Sequence, residues 1–168
     1  DVLFLERDMT WYAQNRDLPK PPHCRTELYS SVPELRERFR TELRDADLVV
    51  VGSYVPEGIA VGELVCSLAT GITAFYDIDT PVTVAKLLRG DTEYLSPSLA
   101  KKYDLYFSFT GGPTLERLRK QFQVRRPRAL YCSVDDQLYF PEPQPVRWHM
   151  GYLGTYSADR QPALERLM

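Results

Sequence analysis

Asp77 and Asp79, in the segment Tyr76-Asp77-Ile78-Asp79-Thr80-Pro81, are the residues of this chain best suited to chemistry. They stand two apart at the end of an apolar run, so in extended backbone both carboxylates point to one side. Such a pair can act as a general base and a partner that raises its pKa, or it can hold a divalent cation. A structural reading competes with these: Asp79 is also placed to cap a helix that begins at Pro81.

Four other segments follow apolar runs and carry polar or glycine-rich sequence. They are Gly52-Ser53-Tyr54, Thr110-Gly111-Gly112, Ser133-Val134-Asp135-Asp136 and Gly154-Thr155-Tyr156-Ser157. In open parallel sheets, ligands bind outside the carboxyl ends of strands, which gives these positions their interest. Thr110-Gly111-Gly112 runs into a helix opened by Pro113, where unpaired N–H groups favour an anion or a hydroxyl-rich ligand. The bland alternative is a tight turn that needs the positive φ of glycine. Gly154 and its neighbours have the same character, but without a full GxGxxG they do not make a dinucleotide fingerprint.

The elements that must position these residues alternate between short apolar runs and segments of helical period, the pattern of an α/β fold. Strands are expected over residues 2–5, 48–52, 72–76, 105–109, 129–132 and 150–153. Their continuous apolar character implies a Rossmann-like parallel sheet with helices on both faces. Residues 32–46 form an amphipathic helix with Ser31 as N-cap and Leu35, Phe39 and Leu43 on one face. Further helices are expected over 58–69, where Gly62 allows a close approach to a strand, and over 113–122. Three prolines within 139–147 read as a linker between a domain over 1–138 and the first strand and helix of a second over 148–168. The first residue, Asp1, already falls within an apparent strand, and Met168 within an apparent helix, so both ends read as truncated.

Composition narrows the function. With 168 residues, 43% of them hydrophobic, the chain is an ordinary globular one, and its longest apolar runs fall far short of the roughly 20 residues of a membrane span. A net charge of −2 offers no general attraction to nucleic acid. The run Arg125-Arg126-Pro127-Arg128 is too short to alter that and reads as a solvated loop. Cys24, Cys66 and Cys132 are scattered without metal-ligand spacing, and His23 and His149 belong to no triad, so a reducing cytoplasm and no metal are expected.

Taken together, Ala74-Phe75-Tyr76-Asp77-Ile78-Asp79-Thr80-Pro81-Val82-Thr83, Asp104-Leu105-Tyr106-Phe107-Ser108-Phe109-Thr110-Gly111-Gly112 and Gly151-Tyr152-Leu153-Gly154-Thr155-Tyr156-Ser157-Ala158-Asp159-Arg160 resemble CgeB-type proteins. These are spore-maturation-associated, glycosyltransferase-like proteins. The resemblance implies a GT-B architecture of two Rossmann-like domains, with the acceptor on the N-terminal side and a nucleotide-sugar donor on the C-terminal side. It also implies sugar transfer without an obligatory metal or resident cofactor. On that basis Asp79 is the base and Asp77 its partner. Ser53, Tyr54, Thr80, Thr110, Gly111 and Gly112 line the acceptor side. Gly154, Thr155, Tyr156 and Ser157 approach the donor phosphates, and Arg160 clamps their charge. Two other readings stay open. One is a non-catalytic carbohydrate-binding or surface-maturation protein on the same scaffold. The other is an aspartyl-nucleophile phosphatase built on Asp77, Asp79, Thr110, Lys120, Asp135 and Asp136, which fits badly because Pro81 stands where that family has threonine or valine.

Overall fold

A computed structural model describes every residue except Asp17, Pro19, Thr155, Tyr156, Ser157, Asp159 and Met168. It divides into two compact units, Asp1–Ser133 and Val134–Met168. The first unit carries both sheets. Strands β1 (Leu3–Arg7) and β2 (Arg25–Tyr29) pair in parallel, with the short helix α1 (Thr10–Asn15) between them in sequence. Strands β3 (Leu48–Gly52), β4 (Ile72–Asp77), β5 (Leu105–Ser108) and β6 (Pro127–Ala129) form a second parallel sheet in chain order.

Parallel neighbours cannot be joined by a hairpin, so each step in the larger sheet is a crossover. Helix α4 (Gly58–Leu68) links β3 to β4, α5 (Thr80–Arg89) and α6 (Pro97–Ala100) link β4 to β5, and α7 (Pro113–Phe122) links β5 to β6. Helices α2 (Val32–Arg38) and α3 (Arg40–Asp45) lead from β2 to β3. The result is the expected Rossmann-like α/β arrangement.

Register fixes which side chains share a face. Val51 lies opposite Phe75, Phe75 opposite Tyr106, and Tyr106 opposite Pro127. All four are buried, and with Val65, Leu87, Leu99, Tyr103 and Leu118 from the crossovers they make one core. The other face of the sheet differs from expectation. Leu48, Val50 and Ile72 there are 46%, 48% and 46% exposed, so β3 alternates between buried and open positions instead of being covered on both sides. The apolar run recorded β-propensity at these positions, not burial.

Several boundaries also moved. Strand β2 was not expected, because Arg25-Thr26-Glu27-Leu28-Tyr29 is mostly polar, as befits a strand with one neighbour. The helix over 32–46 is divided at Phe39 (φ −115°, ψ 20°), yet the Phe39-to-Leu35 and Leu43-to-Phe39 backbone bonds persist, so it bends without stopping. Ser31 does cap it, its Oγ accepting the Glu34 N–H at 3.2 Å. Gly62 lets the helix approach Leu99 and Tyr103, not a strand: a Cβ at that position would lie 2.4 Å from the Tyr103 hydroxyl. The last strand of the sheet spans Pro127–Ala129 instead of 129–132, so half of the Arg-rich run is strand and not loop. Proline is tolerated there because β6 is an edge.

In the second unit, α8 (Gln161–Leu167) is present but buries no residue. Residues 150–153 form no strand, a correction with a simple cause: among the described residues of this unit no other strand exists to pair with them. The proline-rich stretch has no regular structure from 141 to 148. Among the described residues no helix is long and apolar enough to cross a membrane.

The two faces of the larger sheet should respond differently to truncation. Phe75→Ala is expected to cost about 3–5 kcal/mol, as for other buried aromatic residues. Val50→Ala, one residue away in the chain of β3 from buried Val51, should cost under about 1 kcal/mol. Urea unfolding of the two variants checks this.

Candidate functional site

The turn after β4 is held from inside and from outside. Inside is Asp77, fully buried at the strand's last position. Its Oδ2 accepts the Tyr106 hydroxyl at 2.6 Å, and its Oδ1 accepts the Thr83 hydroxyl at 2.8 Å and the Asp79 N–H at 3.2 Å. The single proton of Thr83 is committed to Asp77, so the Tyr94 hydroxyl, 2.8 Å away, donates to Thr83. These bonds tie β4, β5, the first turns of α5 and the Tyr94 loop to one carboxylate. Burial pushes the Asp77 carboxyl above its ordinary range, and the donors from Tyr106 and Thr83 only partly offset that. The Tyr106 phenol is pushed well above its ordinary value by burial and by the Asp77 charge.

Beside it, Thr80 is equally buried and shares a 2.7 Å hydrogen bond with Ser108. Ser108 in turn donates to the Thr110 carbonyl at 2.7 Å and accepts the Thr110 N–H at 3.0 Å. Thr80 and Thr110 are therefore connected through Ser108, beneath the surface. The Thr110 hydroxyl oxygen is itself buried with no partner among the described residues. Gly112 has the positive φ of 60° that a turn into α7 demands, so the conformational reading has direct support at Gly112.

Outside the turn stand Ser53 and Tyr54, from the loop after β3. The Ser53 hydroxyl accepts the Ile78 N–H at 3.2 Å, and the Ser53 N–H donates to the Tyr76 carbonyl at 2.8 Å. The Tyr54 hydroxyl donates to Oδ2 of Asp79 at 3.0 Å. Tyr54 adopts φ 64° and Glu57, three residues on, φ 56°. A left-handed backbone in a bulky residue is uncommon and costs of order 1–3 kcal/mol, so this loop stores strain in order to present Tyr54. Burial, then the hydrogen bond to Asp79, raises the Tyr54 phenol above its ordinary value, which keeps it a donor.

Asp77 and Asp79 thus do not act from one side. Extended geometry ends at Asp77, and Asp79 adopts φ −145° and ψ 57°, which turns its carboxylate toward the β3 loop. Asp79 occupies the N-cap position of α5, but its side chain makes no capping bond. The capping reading is therefore right about place and not about bonding. Among the described residues, Tyr54 is the hydrogen-bond donor to the Asp79 carboxylate, and Oδ1 accepts no hydrogen bond.

Next to Tyr54 lies an open cleft of about 450 Å³. Met9, Trp11 and Tyr12, which follow β1, form one wall; Tyr54, Val55, Pro56 and Glu57, which follow β3, form another, and Glu93 completes it. It sits at the carboxyl ends of both strands, where the general rule for such folds places ligands. None of Met9, Trp11, Tyr12, Glu57 or Glu93 was anticipated. The segment after β1 carries the same signal as the other strand ends, polar and aromatic residues directly after an apolar run. Glu57 and Glu93 gave no local signal.

Of the residues expected to approach a donor, Thr155, Tyr156 and Ser157 lie outside the described residues. Gly154 is exposed, and the Arg160 carbonyl accepts the N–H groups of Ala163 and Leu164 at the start of α8. Lys120 is 75% exposed on α7 and pairs with Glu116 at 3.8 Å. That outward position, with Asp77 sealed in the core, fits poorly with a phosphatase centre. No group of three or more His, Cys, Asp or Glu side chains poised for a metal is present among the described residues.

The Asp77 carboxyl has a definite signature. Its folded-state pKa lies above the ordinary 3.8, so the native state holds the proton to higher pH than the unfolded chain does. Stability contributed by Asp77 is therefore greatest below that value and is lost as pH rises through the folded pKa. Asn cannot titrate, so the stability of the unaltered protein minus that of Asp77→Asn should fall over this window and then level off. Denaturation at a series of pH values measures it; a difference that grew with pH would mean that the hydrogen bonds outweigh burial.

Comparisons of the chain with protein-family models, with curated proteins and with solved structures found no match.

Proposed function

We propose that this chain is the acceptor-side part of a glycosyltransferase-type protein that moves a sugar from a nucleotide-sugar donor to an acceptor hydroxyl, with Asp79 as general base. The observation that carries this reading is the Asp79 carboxylate itself. It is held at the sheet's carboxyl edge by Tyr54, with Oδ1 accepting no hydrogen bond among the described residues, and Tyr54 also lines a cleft of small-molecule size. The sequence resemblance to CgeB-type proteins points the same way.

In that chemistry the acceptor hydroxyl loses its proton to Asp79 as its oxygen attacks the anomeric carbon. The bond from that carbon to the diphosphate oxygen breaks, and the nucleoside diphosphate leaves with the electron pair. A positioned carboxylate suits the first event, and contributions of about 10²–10⁴ in rate are typical of such groups. The Tyr54 hydroxyl orients Asp79 through Oδ2, which makes Tyr54 a positioning residue. Stabilisation of the departing diphosphate is the task the resemblance gives to Gly154, Thr155, Tyr156, Ser157 and Arg160. Asp77 acts here only through the turn it anchors.

A non-catalytic carbohydrate-binding protein is the second reading, and the openness of the aromatic cleft favours it. The two separate by experiment. With a panel of UDP-, GDP- and dTDP-sugars, a transferase should be stabilised by its donor, by about 2.7 kcal/mol at a hundred times the dissociation constant. A binding module should respond to saccharides alone.

Asp79→Asn is expected to abolish sugar transfer by the intact protein while leaving donor binding and thermal stability unchanged. Tyr54→Phe should lower kcat with a smaller effect on KM. Turnover retained in Asp79→Asn would refute the assignment.

A further inference from the structure

The lining of the cleft has a selective chemistry. Trp11 and Tyr12 meet edge to face with ring centroids 5.4 Å apart, and Trp11 is 66% exposed. Across from them Tyr54 packs on Tyr94 at 4.8 Å, which fixes its ring plane. Among the described residues, the charged ones in the lining are Glu57 and Glu93, and no lysine or arginine lines it. Each carboxylate is held through one oxygen by a cation outside the lining. Arg7 meets Oε2 of Glu57 at 2.9 Å, and Lys86 pairs with Oε2 of Glu93. Oε1 of both glutamates accepts no hydrogen bond among the described residues, and both side chains are more than half exposed.

Aromatic faces are negative at their centres and favour apolar ring surfaces and cations. Two open carboxylate oxygens add to that and accept N–H donors strongly when the donor is charged. Phosphate would find repulsion on both counts. We propose that this cleft binds a protonated amino sugar, its ring faces against Trp11 and Tyr54 and its ammonium toward Glu57 and Glu93. This rests on the acceptor-side reading of the same edge, because Tyr54, which lines the cleft, is also the residue that holds Asp79. Arg7 and Lys86 reduce the negative charge without cancelling the site, because Asp91, 3.7 Å from Lys86, shares that cation.

The test needs no donor and no turnover. By titration calorimetry on the unaltered chain, the free-amine disaccharide of β-1,4-linked glucosamine should bind, and its di-N-acetylated counterpart at least tenfold more weakly. Trp11→Ala should remove binding of both. Glu57→Gln combined with Glu93→Gln should abolish the tenfold preference, with circular dichroism reporting that the fold is kept. Equal affinity for the two disaccharides, binding of neither, or a preference that survives the double substitution would overturn the proposal. Because both ligand arms use unaltered protein, the outcome stands even if the double variant does not fold. Transfer to some other acceptor, measured separately, would then leave Asp79's role untouched.

Discussion

Three donors converge on the Asp77 carboxylate: the hydroxyls of Tyr106 and Thr83 and the backbone N–H of Asp79. A carboxylate sealed from water is costly unless it is bonded this thoroughly, and removing one partner of a buried charge typically costs about 3–5 kcal/mol. The constraint therefore runs outward from Asp77. It sets where β4 ends, where β5 lies beside it, how α5 starts and where the Tyr94 loop is pinned. Burial still raises the carboxyl's pKa, so the network compensates for desolvation only in part.

The exposed site inherits its geometry from that buried anchor. With Asp77 holding the Asp79 N–H, the carboxylate of Asp79 is turned to the β3 loop, where Ser53 and Tyr54 complete the arrangement. The strain at Tyr54 and Glu57 makes sense in this setting. Glycine would adopt these angles with less strain, but it would bring neither the Tyr54 hydroxyl nor the Glu57 carboxylate. The two left-handed residues put the Tyr54 ring between the Asp79 carboxylate and the cleft, and the Glu57 carboxylate on the cleft wall.

The larger sheet shows a second consequence of how the core is built. Its crossovers bury Val51, Phe75, Tyr106 and Pro127 on one side, and the opposite side keeps Leu48, Val50 and Ile72 half exposed. Apolar residues in a strand tell of backbone preference and of possible burial, but the covering layer is a tertiary matter.

Local sequence was enough to identify the parallel α/β class, the strands β3 and β4 and the helix over Pro113–Phe122, because periodicity, proline and glycine act over a few residues. The same local signals failed for β2, whose polar residues gave no strand pattern, and for residues 150–153, whose apolar residues had no partner strand. They also could not separate the two aspartates, which look alike in a chain written as Asp-x-Asp. Only the folded structure put one in the core under Tyr106 and Thr83 and the other at the surface under Tyr54. Trp11, Glu57 and Glu93 are far apart in sequence and meet at one cleft because β1 and β3 end beside it. Burial and convergence depend on what the rest of the chain brings alongside, and that is a long-range property the local sequence does not hold.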